Sequence, residues 1–190
     1  MTRRIPIVAT LVVLAAIATM IALGFWQLDR LKQKEALLVR YHVAQAMSAD
    51  APWPESNSAA QSLLYRHATL DCREVVSRSM IAGRNARGQS GMAEKVMCRL
   101  PDGVLAPVVL GWSRQPLAGH WTGGIVQGVI APGPRLVVDP PVAGLQANAR
   151  PDPAEVPNNH FAYAVQWFLF AATAAVIYAI ALCKRMRGKG

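Results

Sequence analysis

Apolar and polar positions along this chain change their period twice. Residues 5–25 and 161–183 are charge-free apolar runs. Each has about the twenty residues that a helix needs to cross a hydrocarbon core of about 30 Å. After the first run, Leu28, Leu31, Glu35, Leu38 and His42 keep a helical spacing, and no glycine or proline intervenes from Leu31 to Met47. That spacing predicts a helix that leaves the bilayer and continues for several turns, to be stopped by Pro52-Trp53-Pro54. Residues 57–61 read as loop. From Leu64 the pattern shortens to β-like runs at 65–70, 74–82, 95–100, 104–112, 124–130 and 136–138. Turn residues punctuate them: Gly83-Arg84-Asn85, Pro132-Gly133-Pro134 and above all Pro101-Asp102-Gly103, where proline presets one dihedral and glycine admits positive φ. Residues 139–157, rich in proline and small side chains, read as an extended connector to the second span.

These elements predict an α+β membrane protein, in which a two-helix transmembrane hairpin flanks a small antiparallel β-sheet or open barrel outside the cytoplasm. The boundaries are an amino-terminal segment at 1–4, a first span at 5–25, a helical extension at 26–50, a β-rich domain with its connector at 51–157, a second span at 158–183 and a basic tail at 184–190. A cleaved signal peptide is the competing reading of the start, since Arg3 and Arg4 precede the apolar run and Ala16-Ile17-Ala18 resembles a cleavage site. The run continues past Ala18 through Ile21, Leu23 and Phe25, which favours a retained span.

Composition agrees. With 53% hydrophobic residues the chain is too apolar for an ordinary small soluble domain, and its mean hydropathy is +0.22. The net charge of +9 is largely membrane-flanking: Arg3 and Arg4 precede the first span, Arg30, Lys32, Lys34 and Arg40 follow it, and Lys184, Arg185, Arg187 and Lys189 follow the second. No basic-aromatic stripe accompanies them, which argues against nucleic acid as a partner. Cations after the second span, against Asp152 and Glu155 before it, put both termini in the cytoplasm. The middle domain, with Cys72 and Cys98, then lies on the oxidising side. Two thiols in one such domain usually pair, so a Cys72–Cys98 disulfide is one reading and two buried free thiols the other.

Chemistry concentrates at the outer rim of the hairpin. His160, Tyr163 and Trp167 share one face of a helix that starts near His160. An imidazole with aromatic neighbours at the bilayer edge suits an axial haem ligand, and equally a helix-start histidine that binds water or a lipid headgroup. Gln166 lies about one turn deep and should face protein or ligand rather than lipid. Trp26, Gln27 and Arg30 occupy the matching depth on the first helix, so a hairpin would bring Gln27 and Arg30 near His160. Arg30 could pair with a carboxylate such as a haem propionate, or serve as a headgroup anchor. Ala171, Ala175 and Ala179 on one span and Ala18 and Ala22 on the other form small-residue stripes for pairing the spans with each other or with a membrane partner. His42, His67 and His120 have no mutual ligand spacing and read as surface or packing residues. Hydrolase, nucleotide and zinc motifs are absent from the sequence, and no acid–base pair stands out, so an enzyme is not expected.

Two terminal motifs carry a family likeness. Leu23-Gly24-Phe25-Trp26-Gln27-Leu28-Asp29-Arg30, followed by Leu31-Lys32, and Asn158-Asn159-His160-Phe161-Ala162-Tyr163-Ala164-Val165-Gln166-Trp167-Phe168 resemble the signatures of the surfeit locus 1 family of cytochrome c oxidase assembly proteins. Gly111-Trp112 falls where that family carries a Gly-Trp on a late strand, although the Asn-Arg usual before it is Val109-Leu110 here. The resemblance implies a protein of the inner membrane, its middle domain periplasmic, that binds haem a and assists its insertion into cytochrome c oxidase subunit I. It further implies haem a synthase as an additional partner, His160 as the haem-binding histidine, and Trp26, Gln27, Arg30, Tyr163, Gln166 and Trp167 around it. The alternative of a different class is a haem-free scaffold that stabilises a partly assembled oxidase subunit.

Overall fold

The computed structural model describes residues 6–115 and 120–187. Assignments that rest on Arg3, Arg4, Ile5 and Lys189 lie outside the described residues. The chain divides into two compact units, residues 1–37 with 157–190 and residues 38–156.

The first unit is the hairpin. Helix α1, Ile7–Ala46, is unbroken from the first span into its predicted extension. Helix α3, Pro157 and two asparagines later, is His160–Arg187, with Lys184, Arg185 and Arg187 in its last turn. Both are long and apolar enough to cross a membrane, and almost none of either apolar stretch is covered by protein. They are therefore not core helices of a water-soluble fold. What cover there is falls on two seams. Along α1 the shielded positions include Thr10, Val13, Ile17, Met20, Gly24, Gln27 and Leu31, and along α3 they include His160, Ala164, Trp167, Ala171, Ala174 and Tyr178. The alternating steps of three and four are those of a coiled-coil seam. The spans do pair with each other, but not through the alanine stripes expected: Ala18, Ala22, Ala175 and Ala179 are exposed. The closest approach is at Gly24. A side-chain carbon there would lie 2.6 Å from the Phe168 ring, and that ring stands edge-on to Phe25 at 5.4 Å.

The second unit is a six-stranded sheet in the order β1-β5-β6-β4-β3-β2. Its strands are β1, His67–Cys72; β2, Glu74–Arg84; β3, Ser90–Arg99; β4, Leu105–Ser113; β5, Gly124–Ala131; and β6, Arg135–Val138. All six match predicted runs. The expectation of a purely antiparallel sheet is corrected at one place, because β4 and β6 run parallel, with Val108 opposite Leu136 and Val109 opposite Val137. The two outermost strands, β1 and β2, are consecutive in sequence with only Arg73 between them. One residue cannot span a flat six-stranded sheet, so the sheet must curl until its edges meet at that corner, as an open barrel. The Arg73 amide donates to the Arg99 carbonyl at 2.9 Å. At the same corner Cys72 and Cys98 are joined in a disulfide.

Three details differ from expectation, each for a local reason. Residues 57–61 are not loop: helix α2 is Asn57–Leu63, and the Ser56 hydroxyl caps it by accepting from the Ala59 amide. Strand β1 starts two residues late because Tyr65 takes φ 65°, which no strand allows. Strand β3 starts five residues early, at Ser90. Gly91 in that added stretch is the floor under the Trp112 ring: a side-chain carbon on it would collide with that ring.

Val108 to Ser113 of β4 are buried on both faces. Val109 and Leu110, which replace the family's usual polar pair, are 3% and 0% exposed and belong to the core. Glu94 is buried on β3, and its carboxylate accepts from the Arg78 guanidinium at 2.7 Å. The tail of α1 docks in this unit. Tyr41 stacks on Tyr65 at 4.7 Å, and the Gln45 amide donates to the Pro151 carbonyl at 3.0 Å.

Two outcomes follow. Replacing both Cys72 and Cys98 by alanine should destabilise the domain by about 3 kcal/mol, the cost typical of freeing a loop of this length. Thermal unfolding of the wild type and the double variant checks it. Burial raises Tyr41 above its ordinary 10.0. Burial first, then the charges of Tyr41, Asp152 and Glu155, raises Tyr65 despite the opposing Arg135. The folded state thus holds these phenolic protons more tightly than the unfolded chain. Their contribution to stability is complete below about pH 10 and declines as pH rises through the folded-state values. Tyr65→Phe should flatten that alkaline loss, as read from unfolding midpoints across the pH range.

Candidate functional site

The rim of the hairpin is set by the start of α3. The chain turns at Pro157, and the Asn159 carbonyl accepts the first helical bond, from the Tyr163 amide at 3.2 Å. His160 is therefore the first helical residue, half-buried on the seam. Gln27 sits on the α1 seam across from it. His160 Nδ1 and Gln27 Oε1 are 2.8 Å apart, a hydrogen bond between residues 133 positions apart in sequence. The side-chain oxygen of Asn158 is buried with no hydrogen-bond partner among the described residues, so an acceptor waits for a donor beside the histidine.

At the other end of the seam, Thr10 Oγ1 and Tyr178 Oη are 2.6 Å apart. Thr10 also donates to the Pro6 carbonyl at 2.9 Å, leaving the tyrosine hydroxyl to donate to Thr10. From Gln27 to Thr10 is about 25 Å of helix at the standard rise, close to the thickness of a hydrocarbon core. A polar clasp thus stands at each end of the paired spans, with Gly24, Phe168, Ala164 and Ala171 between.

The remaining expected site residues take different directions. Trp167 is partly shielded on the seam face and meets Phe170 edge-on at 6.1 Å. Tyr163 flanks the seam and is 51% exposed. Trp26 is exposed, about 100° round the helix from Gln27. The Arg30 guanidinium is exposed and donates to Gln33 Oε1 at 2.9 Å, while the Gln33 amide donates to Asp29 at 3.0 Å. Arg30 is thereby engaged along its own helix. Gln166 is exposed on the side of α3 away from the seam and makes no side-chain hydrogen bond to another described residue, so the partner expected for it does not lie within the hairpin. His42, His67 and His120 are all exposed. A groove of about 490 Å³ between Trp53-Pro54 and Leu105 to Pro107 belongs to the second unit and contains none of the site residues.

Sequence reasoning missed Gly24, Phe168 and the Thr10–Tyr178 pair. A threonine and a tyrosine in otherwise apolar runs were the available signal for the pair. Nothing local distinguished Gly24 as a contact point.

A hairpin of two apolar helices, clasped by polar pairs and carrying a disulfide-bonded β-domain between them, defines a two-span membrane protein with an imidazole at one rim. The chain belongs to the SURF1 family, which it matches over residues 14–172. That stretch includes α1 from its second turn, the whole β-domain, the rim and the first half of α3. The family is generally linked to cytochrome c oxidase assembly. A search of curated proteins finds no match.

Because Gly24 has no room for a side chain, Gly24→Leu should force the spans apart at a cost of about 1–3 kcal/mol. Cysteines placed at positions 10 and 178 should be joined readily by a short bifunctional thiol reagent that spans the length of the tyrosine side chain removed. With Gly24→Leu added, the yield at a fixed reaction time should drop severalfold.

Proposed function

We propose that this chain is a haem a carrier in oxidase assembly. It takes haem a at the outer rim of the hairpin through His160 and passes it to subunit I of a haem-copper oxidase, with haem a synthase as the donor. In this reading the protein lies in the inner membrane with both termini cytoplasmic and the β-domain periplasmic. Lys184, Arg185 and Arg187 at the end of α3 fit a cytoplasmic flank, and a Cys72–Cys98 disulfide fits an oxidising compartment.

The observation that carries the reading is the seam-end histidine: half-buried, held by Gln27 and open on its other side. Haem supplies most of its iron's nitrogen donors itself, so a single protein imidazole, that of His160, would suffice to hold it. A bare metal ion would need more. Among the described residues no group of three or more His, Cys, Asp or Glu side chains is gathered to hold one. Tyr163 and Trp167 add apolar surface beside the ring, and the bilayer supplies the rest for an apolar macrocycle. Trp26, Arg30 and Gln166 are exposed off the seam, so the proposal rests first on His160, Gln27, Tyr163 and Trp167.

The haem-free scaffold keeps one observation in its favour. Gln166 and Thr173 lie seven residues apart on the exposed side of α3, where polar side chains in hydrocarbon seek a partner helix. Recovery of subunit I from membranes, with and without haem a synthesis, separates the two readings. Dependence on haem favours the carrier, and equal recovery favours the scaffold.

Protein purified from cells that make haem a should show the absorption spectrum of a histidine-ligated haem. His160→Ala should lower haem content by at least about tenfold, the lower end of the range seen when a metal site loses even a supporting group, while the protein stays in the membrane. Unchanged haem content in that variant would remove His160 from the site.

A further inference from the structure

We infer that Gln27 is a positioning residue that fixes the tautomer of His160. A carboxamide oxygen can only accept, so the 2.8 Å contact between Gln27 Oε1 and His160 Nδ1 puts the imidazole proton on Nδ1. A neutral ring carries one N–H. Nε2 is then the bare nitrogen, with its lone pair directed away from the ring's attachment to the backbone. Left to itself, a neutral histidine favours the opposite tautomer, with the proton on Nε2 and the lone pair on the more crowded Nδ1. The bond to Gln27 reverses that preference and makes Nε2 the donor that an incoming metal centre meets. An Nδ1–H held by an acceptor also raises the basicity of Nε2 toward a metal, as outer partners of metal-bound histidines commonly do.

The arrangement depends on both helices. Gln27 reaches His160 because both stand on the seam, His160 as the first residue of α3 and Gln27 one seam step from Gly24. The nature of the metal centre, a haem iron, rests on the reading given under Proposed function; the tautomer does not.

The test uses full-length protein in lipid nanodiscs, with nitrogen-15 in its histidine rings. The His160 signals are assigned by their loss in His160→Ala, and no haem is present. The wild type should show a protonated Nδ1 and a bare Nε2. Gln27→Leu, close in size but without an acceptor, should move the proton to Nε2. Gln27→Glu, whose carboxylate also accepts, should restore the wild-type pattern. In haem a titrations, Gln27→Leu should bind about tenfold more weakly, and Gln27→Glu should recover most of that loss. Cross-linking between positions 10 and 178 in each variant background reports whether the hairpin is intact. A wild-type ring protonated at Nε2, or a tautomer unchanged by Gln27→Leu in an intact hairpin, overturns the inference. If the tautomer follows Gln27 while haem uptake ignores His160→Ala, the positioning role stands and the haem reading falls.

Discussion

Hydrocarbon penalises an unpaired polar side chain, and this penalty bears on how α1 and α3 meet. Apart, the helices would leave Gln27, His160 and Tyr178 without these partners in or against lipid. Paired antiparallel, the two helices satisfy Gln27 with His160 at one rim and Thr10 with Tyr178 at the other. A slip of one turn would break both pairs at once. The apolar contacts between them are permissive by comparison, since lipid tails are as apolar as the side chains they replace. Gly24 allows the helices to approach, and the hydrogen bonds choose the register at which they do.

What could be read from the residues divides along the same line. Both spans and all six strands were legible, because each announces itself by local period: charge-free runs for the helices, short β-rich runs between turns for the strands. Relations between elements were not. Ala171, Ala175 and Ala179 and the true seam through Ala164, Ala171 and Ala174 are equally good stripes on an alanine-rich helix, and the fit of Phe168 over Gly24 together with the two polar pairs distinguishes them. The parallel pairing of β4 with β6 involves strands about thirty residues apart, and no local pattern encodes it. The predicted run begins at Lys95 and leaves out Ser90 and Gly91, where a glycine weakens the strand signal. Here glycine is required, since the Trp112 ring occupies the space above it. The rim was legible in part: His160 and Gln27 could be placed at one depth, but the direction of Arg30 and Gln166 depended on which faces the seam consumed.

The β-domain shows how one substitution pattern changes meaning with position. A polar pair in place of Val109 and Leu110 would be expected to reach the surface. In this chain the strand that carries them is central and buried on both sides, with β3 on one edge and β6 on the other. Apolar side chains at these positions add to a core that also holds Trp112, Ile130 and Leu136. The disulfide, itself buried, adds a covalent tie to the same core. It joins the strand that begins the sheet to the third strand, across the corner where a curled sheet would otherwise open.

On the carrier reading proposed above the protein must release what it binds, and a half-covered rim suits that requirement. His160 begins its helix, is only half covered, and has one fixed neighbour rather than an enclosing shell. A fully enclosed site would gain affinity by shielding its ligand on every side, and the same contacts would have to be broken at each transfer. An open rim with a pre-oriented donor gains differently. The ordering of the imidazole is completed when the two helices pair, before any ligand arrives, so little further order is lost on binding. On that reading affinity would rest on the Nε2 of His160 and on apolar contact with the bilayer edge, and the open rim would leave a receiving protein room to approach the bound group.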